Sequence, residues 1–322
     1  CTVERSMISS ASIVPASMTD EQTLHTPEHP VRLVTASALF DGHDASINIM
    51  RRIFQTRGCE VVHLGHNRSV KDVVDAALEE DVQGVAVSSY QGGHVEYFTY
   101  LAESLREKGL GHVQIVGGGG GVIVADEIAR LREAGVTIFS PEDGQRLGLV
   151  GMIDQVVRAC DVDLLDVGGP DADALISGDR TALARAITAA ELGRLGDGVL
   201  RRATEAAERR AVPTLGLTGT GGSGKSSLTD ELVRRVRVDQ QDKLRIAVLA
   251  VDPTRRRGGG ALLGDRIRMN ALSTDFGGGA QAYFRSLATR GSHELPECLD
   301  DVVAILKAAA FDLVVVETPG IG

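Results

Sequence analysis

Residues 31–46 read Val-Arg-Leu-Val-Thr-Ala-Ser-Ala-Leu-Phe-Asp-Gly-His-Asp-Ala-Ser. Residues 31–39 have the length and β-branched, apolar character of a buried strand. Two residues apart, just beyond its end, stand a carboxylate and an imidazole, Asp41 and His43. A histidine at the carboxyl end of a strand, with an aspartate able to hold its other ring nitrogen, is placed to ligate a metal in one fixed tautomer. Forty-one residues separate Ser46 from Ser88-Ser89-Tyr90, and twenty-six more lead to the five glycines Gly117 to Gly121. The two later elements outline a pocket for something long and rigid attached to that metal.

Working outward, four more short apolar runs follow, at residues 60–64, 82–89, 113–116 and 136–140. The segments between them have helical periodicity: Ile47, Met50, Ile53 and Phe54 share one face, as do Ile128, Leu131 and Ala134. Strands alternating with helices imply an α/β, Rossmann-like doubly wound parallel sheet with right-handed crossovers. Ligands of such sheets bind beyond the carboxyl ends of the strands. His43, Ser88 and Gly117 all fall at such ends. The plan expected is a mobile leader over residues 1–29, a first α/β domain over 30–160, a helical linker over 161–211 and a second α/β domain over 212–322.

Composition narrows the function classes. At 322 residues, 43% apolar and 24% charged, the chain has room for two hydrophobic cores. A net charge of -10, 3% aromatic residues and no tryptophan argue against a nucleic-acid partner. The four cysteines match no zinc or disulfide spacing, which fits a reducing, cytoplasmic setting. No apolar stretch approaches the ~20 residues that span a bilayer, so no membrane partner is expected.

The second domain opens on Gly219-Thr220-Gly221-Gly222-Ser223-Gly224-Lys225-Ser226, a phosphate-loop pattern between a strand-like run and a helix-like segment. Its glycines, Gly219, Gly221, Gly222 and Gly224, let backbone N–H groups turn inward with Ser223 around an anion, and the helix N-terminus adds its dipole. Lys225 is placed to neutralise β- and γ-phosphates as the catalytic residue of hydrolysis. The Ser226 hydroxyl, followed by Ser227, is placed for Mg²⁺. A glycine-rich loop without nucleotide is the rival. Residues 244–251 and 311–316 read as strands that deliver Asp252 and Glu317, and Asp265 follows on a basic, Gly-rich stretch. These carboxylates are candidates for the same metal cluster; for Asp252 and Asp265, a surface turn and a helix cap are the alternatives.

The first domain resembles the cobalamin-binding domain shared by methionine synthase and the acyl-CoA mutases. That pattern is Asp-x-His-x-x-Gly, Ser-x-Leu and Gly-Gly at similar gaps; here Ser46 replaces the glycine and Tyr90 the leucine. The resemblance implies that His43 is the lower axial ligand of cobalt and Asp41 its partner. The displaced benzimidazole tail would run beside Ser88, Ser89, Gly117, Gly118, Gly120 and Gly121. The rival is a core or surface histidine in a nucleotide-binding domain. The second domain resembles the G-protein metallochaperones of cobalamin-dependent mutases, on Asp252-Pro253-Thr254, Gly264-Asp265-Arg266-Ile267-Arg268-Met269 and Glu317-Thr318-Pro319-Gly320. It implies GTP/GDP as nucleotide, Ser226, Asp252, Asp265 and Glu317 around Mg²⁺, and Arg268 near the nucleotide.

Both domains in one chain resemble acyl-CoA mutases with a built-in chaperone. What this implies is an adenosylcobalamin-dependent isomerase interconverting isobutyryl-CoA and n-butyryl-CoA by radical rearrangement. GTP hydrolysis would gate cofactor loading, with coupling through the linker. The resemblance puts the acyl-CoA site, a homodimer contact and the guanine-reading segment beyond Gly322, and implies an adenosyltransferase as cobalamin donor. The rivals are a non-enzymatic cobalamin carrier or sensor with a GTPase switch, and a mutase for isovaleryl-CoA or methylmalonyl-CoA.

Overall fold

The run that begins at Val31 is strand β1, Arg32–Ala38, and all its residues are buried. Burial on both faces explains why it reads as continuously apolar rather than alternating: helices cover both sides of a parallel sheet. The computed structural model describes residues 24–43, 45–119, 121–254, 260–273, 282–290 and 295–320. Gly120 and residues 1–23 of the expected leader lie outside these, as does the Asp265 side chain. Residues 24–29 do have contacts. The His25 amide donates to Asp154 at 2.7 Å, and the His25 and His29 rings face Asp161 at 2.7 and 3.0 Å.

The first sheet has helix α1 (Ala45–Thr56), β2 (Glu60–Arg68), α2 (Val70–Glu79), β3 (Gly84–Ser88), α3 (His94–Glu107), β4 (Gln114–Gly118), α4 (Ala125–Glu133), β5 (Val136–Ile138) and α5 (Pro141–Cys160). Its strands are parallel, and β1 lies between β3 and β2. The chain therefore leaves β1 in one direction and returns on its other side, which makes the carboxyl ends of β1 and β3 the switch point where such sheets bind ligands. Helix starts are set locally. Ser69 and Asp72 form a capping box on α2, and Ser140, Asp143 and Pro141 do the same for α5.

Helices α6 (Leu164–Val167), α7 (Ala172–Ser177), α8 (Arg180–Glu191) and α9 (Asp197–Arg210) follow. The second sheet comprises β6 (Thr214–Leu217), β7 (Ile246–Asp252), β9 (Ala282–Ala288) and β10 (Leu313–Glu317), parallel in the order β6-β10-β7-β9. It is flanked by α10 (Lys225–Asp239), α11 (Asn270–Ser273) and α12 (Leu299–Ala308). Leu175, Leu183, Ile187 and Ala203 share one core with Leu249, Phe311 and Val314. The helices between the two sheets are thus packed into the second one.

Two features join the halves. Strand β8, Ala261–Leu263, belongs by sequence to the second unit but pairs in parallel with Glu60, Val61 and Val62 of β2, completing a six-stranded sheet. Around it lies a buried ion network. Arg32 holds Glu60 at 2.7 Å and Glu191 at 2.8 Å, Arg290 holds Glu60 at 2.6 Å, and Arg266 holds Glu79 at 2.7 Å. Among the described residues no helix is long and apolar enough to cross a membrane.

Candidate functional site

Asp41 follows β1 in a turn closed by its amide on the Ala38 carbonyl at 3.0 Å. Its carboxylate is fully buried and saturated. Oδ1 accepts the His43 amide at 2.8 Å and faces His43 Nδ1 at 2.9 Å, while Oδ2 accepts the Tyr90 amide at 2.6 Å. A carboxylate only accepts, so Nδ1 carries a proton, which in the neutral ring leaves Nε2 as the nitrogen open to a metal. The His43 side chain is 69% exposed, against 0% for Asp41. A rigidly oriented but exposed imidazole offers one donor. Among the described residues no group of three or more His, Cys, Asp or Glu side chains could hold a metal ion. One donor does not retain a bare cation, but it suits a metal that arrives with its other ligands already in place. The site fits a corrin on that ground.

Beside His43, between α1, the β3 and β4 ends and the start of α5, lies a cavity of about 300 Å³ lined by Ser46, Met50, Ser88, Tyr90, Gly118 and Phe139 among others. Its size and mainly apolar wall suit a flat aromatic group. Ser88 Oγ shares a hydrogen bond with Ser37 Oγ at 2.9 Å, and the Ser89 amide donates to the Gly118 carbonyl at 2.8 Å. The neighbouring glycines are there for different reasons. A Cβ on Gly117 would strike the Phe98 ring at 2.5 Å, and one on Gly119 the Ser89 carbonyl at 2.3 Å. One on Gly118 would meet nothing within 4 Å, and Gly118 lines the cavity. Gly121 also lines it, in a left-handed conformation at φ 93°. His94 Nε2 bonds to Glu127 at 2.9 Å, and Glu127 accepts the Val124 amide at 3.0 Å, tying the two loops that rim the cavity.

In the second sheet the phosphate loop runs from the end of β6 to the start of α10, with Gly219, Gly222 and Gly224 at positive φ. Only glycine holds those conformations cheaply, and they let consecutive amides face one point. Lys225 Nζ donates to the Gly219 and Thr220 carbonyls at 3.0 and 3.2 Å, which keeps the ammonium inside the loop. Ser226 donates to Glu317 Oε1 at 2.7 Å and Thr229 to Oε2 at 2.9 Å. All three side chains are buried. A hydroxyl and a carboxylate in contact at the mouth of a phosphate loop are the donor set of a hard divalent cation. Gly320 packs on the loop, where a Cβ would lie 2.7 Å from Gly221 Cα and 3.3 Å from Lys225 Nζ. Asp252 ends β7, adjacent to β10. Ser227 is exposed on the first turn of α10, and Arg268 is exposed on the 3-10 helix Asp265–Arg268, which packs on β2, β9 and α10.

The structure thus brings together Asp41, His43, Ser88, Ser89 and Gly117 to Gly119 at one sheet edge, and Gly219 to Ser226, Glu317 and Gly320 at the other. Sequence reasoning did not find three residues. Thr229 carries no motif signal. Ser46 and Tyr90 stood out only as departures from a pattern, whereas their hydroxyls are 2.7 Å apart.

Comparison with known proteins gives two family matches. Residues 31–147 match the B12 binding domain, and residues 183–322 match the methylmalonyl Co-A mutase-associated GTPase MeaB. The chain is 66% identical to a fused isobutyryl-CoA mutase of Nocardia farcinica over 94% of its own length and 28% of that protein. It is 59% identical to one of Cupriavidus metallidurans over 92% of its length and 27% of that protein. It is also 28% identical to the 2-hydroxyisobutanoyl-CoA mutase small subunit of Aquincola tertiaricarbonis, over 40% of this chain and 94% of that one. The chain spans little more than a quarter of the fused mutases that it matches.

Proposed function

Since residues 31–147 carry a B12-binding domain and residues 183–322 a MeaB-type GTPase domain, we propose that this chain is the cofactor-binding and GTPase portion of an adenosylcobalamin-dependent mutase interconverting isobutyryl-CoA and n-butyryl-CoA. The observation that carries the proposal is one pre-oriented imidazole beside an apolar slot, in a chain that also holds a complete phosphate loop.

In this reading His43 Nε2 would hold cobalt, Asp41 would fix its tautomer, and Ser88, Ser89 and Gly117 to Gly121 would form the slot for the tail. The chemistry that adenosylcobalamin supplies when bound is one-electron carbon chemistry; the residues of this chain orient it. Gly219 to Ser227 hold the nucleotide phosphates and Lys225 neutralises them. Ser226 and Glu317 hold Mg²⁺ with Asp252 and Asp265, and Arg268 serves the nucleotide. GTP hydrolysis gates cofactor loading. The functional divisions are 30–160, 161–211 and 212–322. Acyl-CoA, a second copy of the protein and an adenosyltransferase are its partners, in the cytoplasm.

The test is product analysis with the intact protein, adenosylcobalamin and a panel of branched acyl-CoA esters. n-Butyryl-CoA should accumulate from isobutyryl-CoA faster than any product from isovaleryl- or methylmalonyl-CoA. Tight cobalamin binding with no turnover of any ester supports the carrier instead. Lys225→Ala should lower GTP hydrolysis by about a hundredfold or more and leave the cobalamin titration unchanged.

A further inference from the structure

The two residues that depart from the cobalamin-domain pattern meet at the cavity wall. Ser46 is the second residue of α1, and Tyr90 follows the end of β3. Their hydroxyls are 2.7 Å apart, and both residues line the cavity. The Tyr90 ring stands 5.5 Å from the His43 ring, tilted by 48°. Tyr90 therefore adjoins both the imidazole and the slot. Tyr90's backbone is pinned, because its amide donates to buried Asp41 at 2.6 Å. Only its side chain is left to swing, and a half-exposed tyrosine turns about χ1 quickly once its hydroxyl is released.

We propose that the Tyr90–Ser46 hydroxyl pair is a latch at the mouth of the cavity: a corrinoid that carries a nucleotide tail has to part it on entering and leaving, and a tailless corrinoid does not. The inference rests on the cobalamin reading above. Opening exchanges one internal hydrogen bond for bonds to water, a small cost set against the apolar burial of the tail. The latch acts on rates of loading and release, with little effect on affinity. A leucine in place of Tyr90 could fill space there but could not bond to α1.

The experiment is stopped-flow binding of aquacobalamin and of tailless cobinamide to the intact protein, unsubstituted and as Tyr90→Phe, Ser46→Ala and the double variant. Each single variant should bind and release aquacobalamin about fivefold faster, the value of one neutral hydrogen bond. The double variant should match either single one, because both remove the same bond. Cobinamide rates should not change. Equal acceleration of both corrinoids, additive single effects, or unchanged aquacobalamin rates in correctly melting variants would each overturn the latch. Aquacobalamin that binds the unsubstituted protein with its own benzimidazole still on cobalt overturns the cofactor reading itself, and the latch with it.

Discussion

At the scale of single residues, the glycine run shows how a legible motif hides distinct physical demands. Gly117 is glycine because its α-hydrogen faces the Phe98 ring and Ile138, with a Cβ landing at 2.5 and 2.6 Å. Gly118, one residue on along the same strand, faces open space in the slot. Gly117→Ala should therefore cost roughly 1–3 kcal/mol in a denaturant melt, the range for overpacking a filled core. Gly118→Ala should cost little stability, whereas Gly118→Leu should leave the melt nearly unchanged and abolish tight aquacobalamin binding. A melt that ranks these positions the other way round contradicts the assignment. The sequence announced a pocket here, since five glycines after a strand have few other uses. It could not say which glycine faces the ligand, because identical residues carry no alternation of polarity. Ser46 and Tyr90 were visible as exceptions, but their contact was not: they are forty-four positions apart, and only the fold brings them together.

At the scale of elements, strands β1 to β5 and the phosphate-loop unit were readable from β-branched runs and their punctuation, with ends shifted by at most four residues. Strands β8 and β9 were not. β8 is three residues long, and β9 is buried on both faces while carrying the fully buried Arg285, so neither shows a period. Yet β8 is the element through which the two units share a sheet. It lies between Asp252 and Asp265 in sequence, and β2, on which it docks, leads to Asn67. Asn67 Oδ1 accepts the Phe40 amide at 2.8 Å, and its own amide donates to the Asp41 carbonyl at 3.3 Å. These contacts link the strand beside β8 to the turn that carries His43. Gly260 sits where a Cβ would lie 2.2 Å from the Gln55 carbonyl, so Gly260→Val should lift β8 from β2. Amide exchange in residues 60–63 and 261–263 should accelerate, with GTP affinity retained. Unchanged exchange would show that β8 is not held by that close approach.

At the scale of the whole molecule, the two halves are held by charge as well as by apolar contact. Burial alone would raise the carboxyls of Glu60 and Glu191, but Arg32 with Arg290, and Arg32 with Arg285 and Arg290, outweigh it and hold both well below the ordinary glutamate value. Glu80 goes the other way: burial raises it, and Arg32, Arg266 and Arg285 offset this only in part. A depressed carboxyl contributes stability that is complete above its unfolded value and is lost as pH falls below it. For Glu60 and Glu191 that loss begins near 4.5, whereas Glu80, whose raised carboxyl takes up its proton first in the folded state, adds stability as pH falls towards 4.5 from above. The thermal midpoint should hold or rise slightly as pH falls from neutral to about 4.5, where Glu80 takes up its proton, and fall steeply below that. Glu60→Gln should flatten that fall while lowering the midpoint at neutral pH. A midpoint that keeps rising below about 4.5 contradicts the network's role. None of this was legible, because a few arginines and glutamates inside strands read like any other surface charges until the partner sheet is in place. The two sheets themselves were legible, each with its ligand edge.

In the proposed reading His43, and not the cofactor's own tail, ligates cobalt. The direct measurement is the electron paramagnetic resonance spectrum of the intact protein loaded with cob(II)alamin, prepared once with natural histidine and once with nitrogen-15 histidine. The cobalt lines should be split into triplets by the natural protein and into doublets by the labelled one, and His43→Ala should remove the change. Triplets that persist in the labelled protein would place the benzimidazole nitrogen on cobalt and contradict the account.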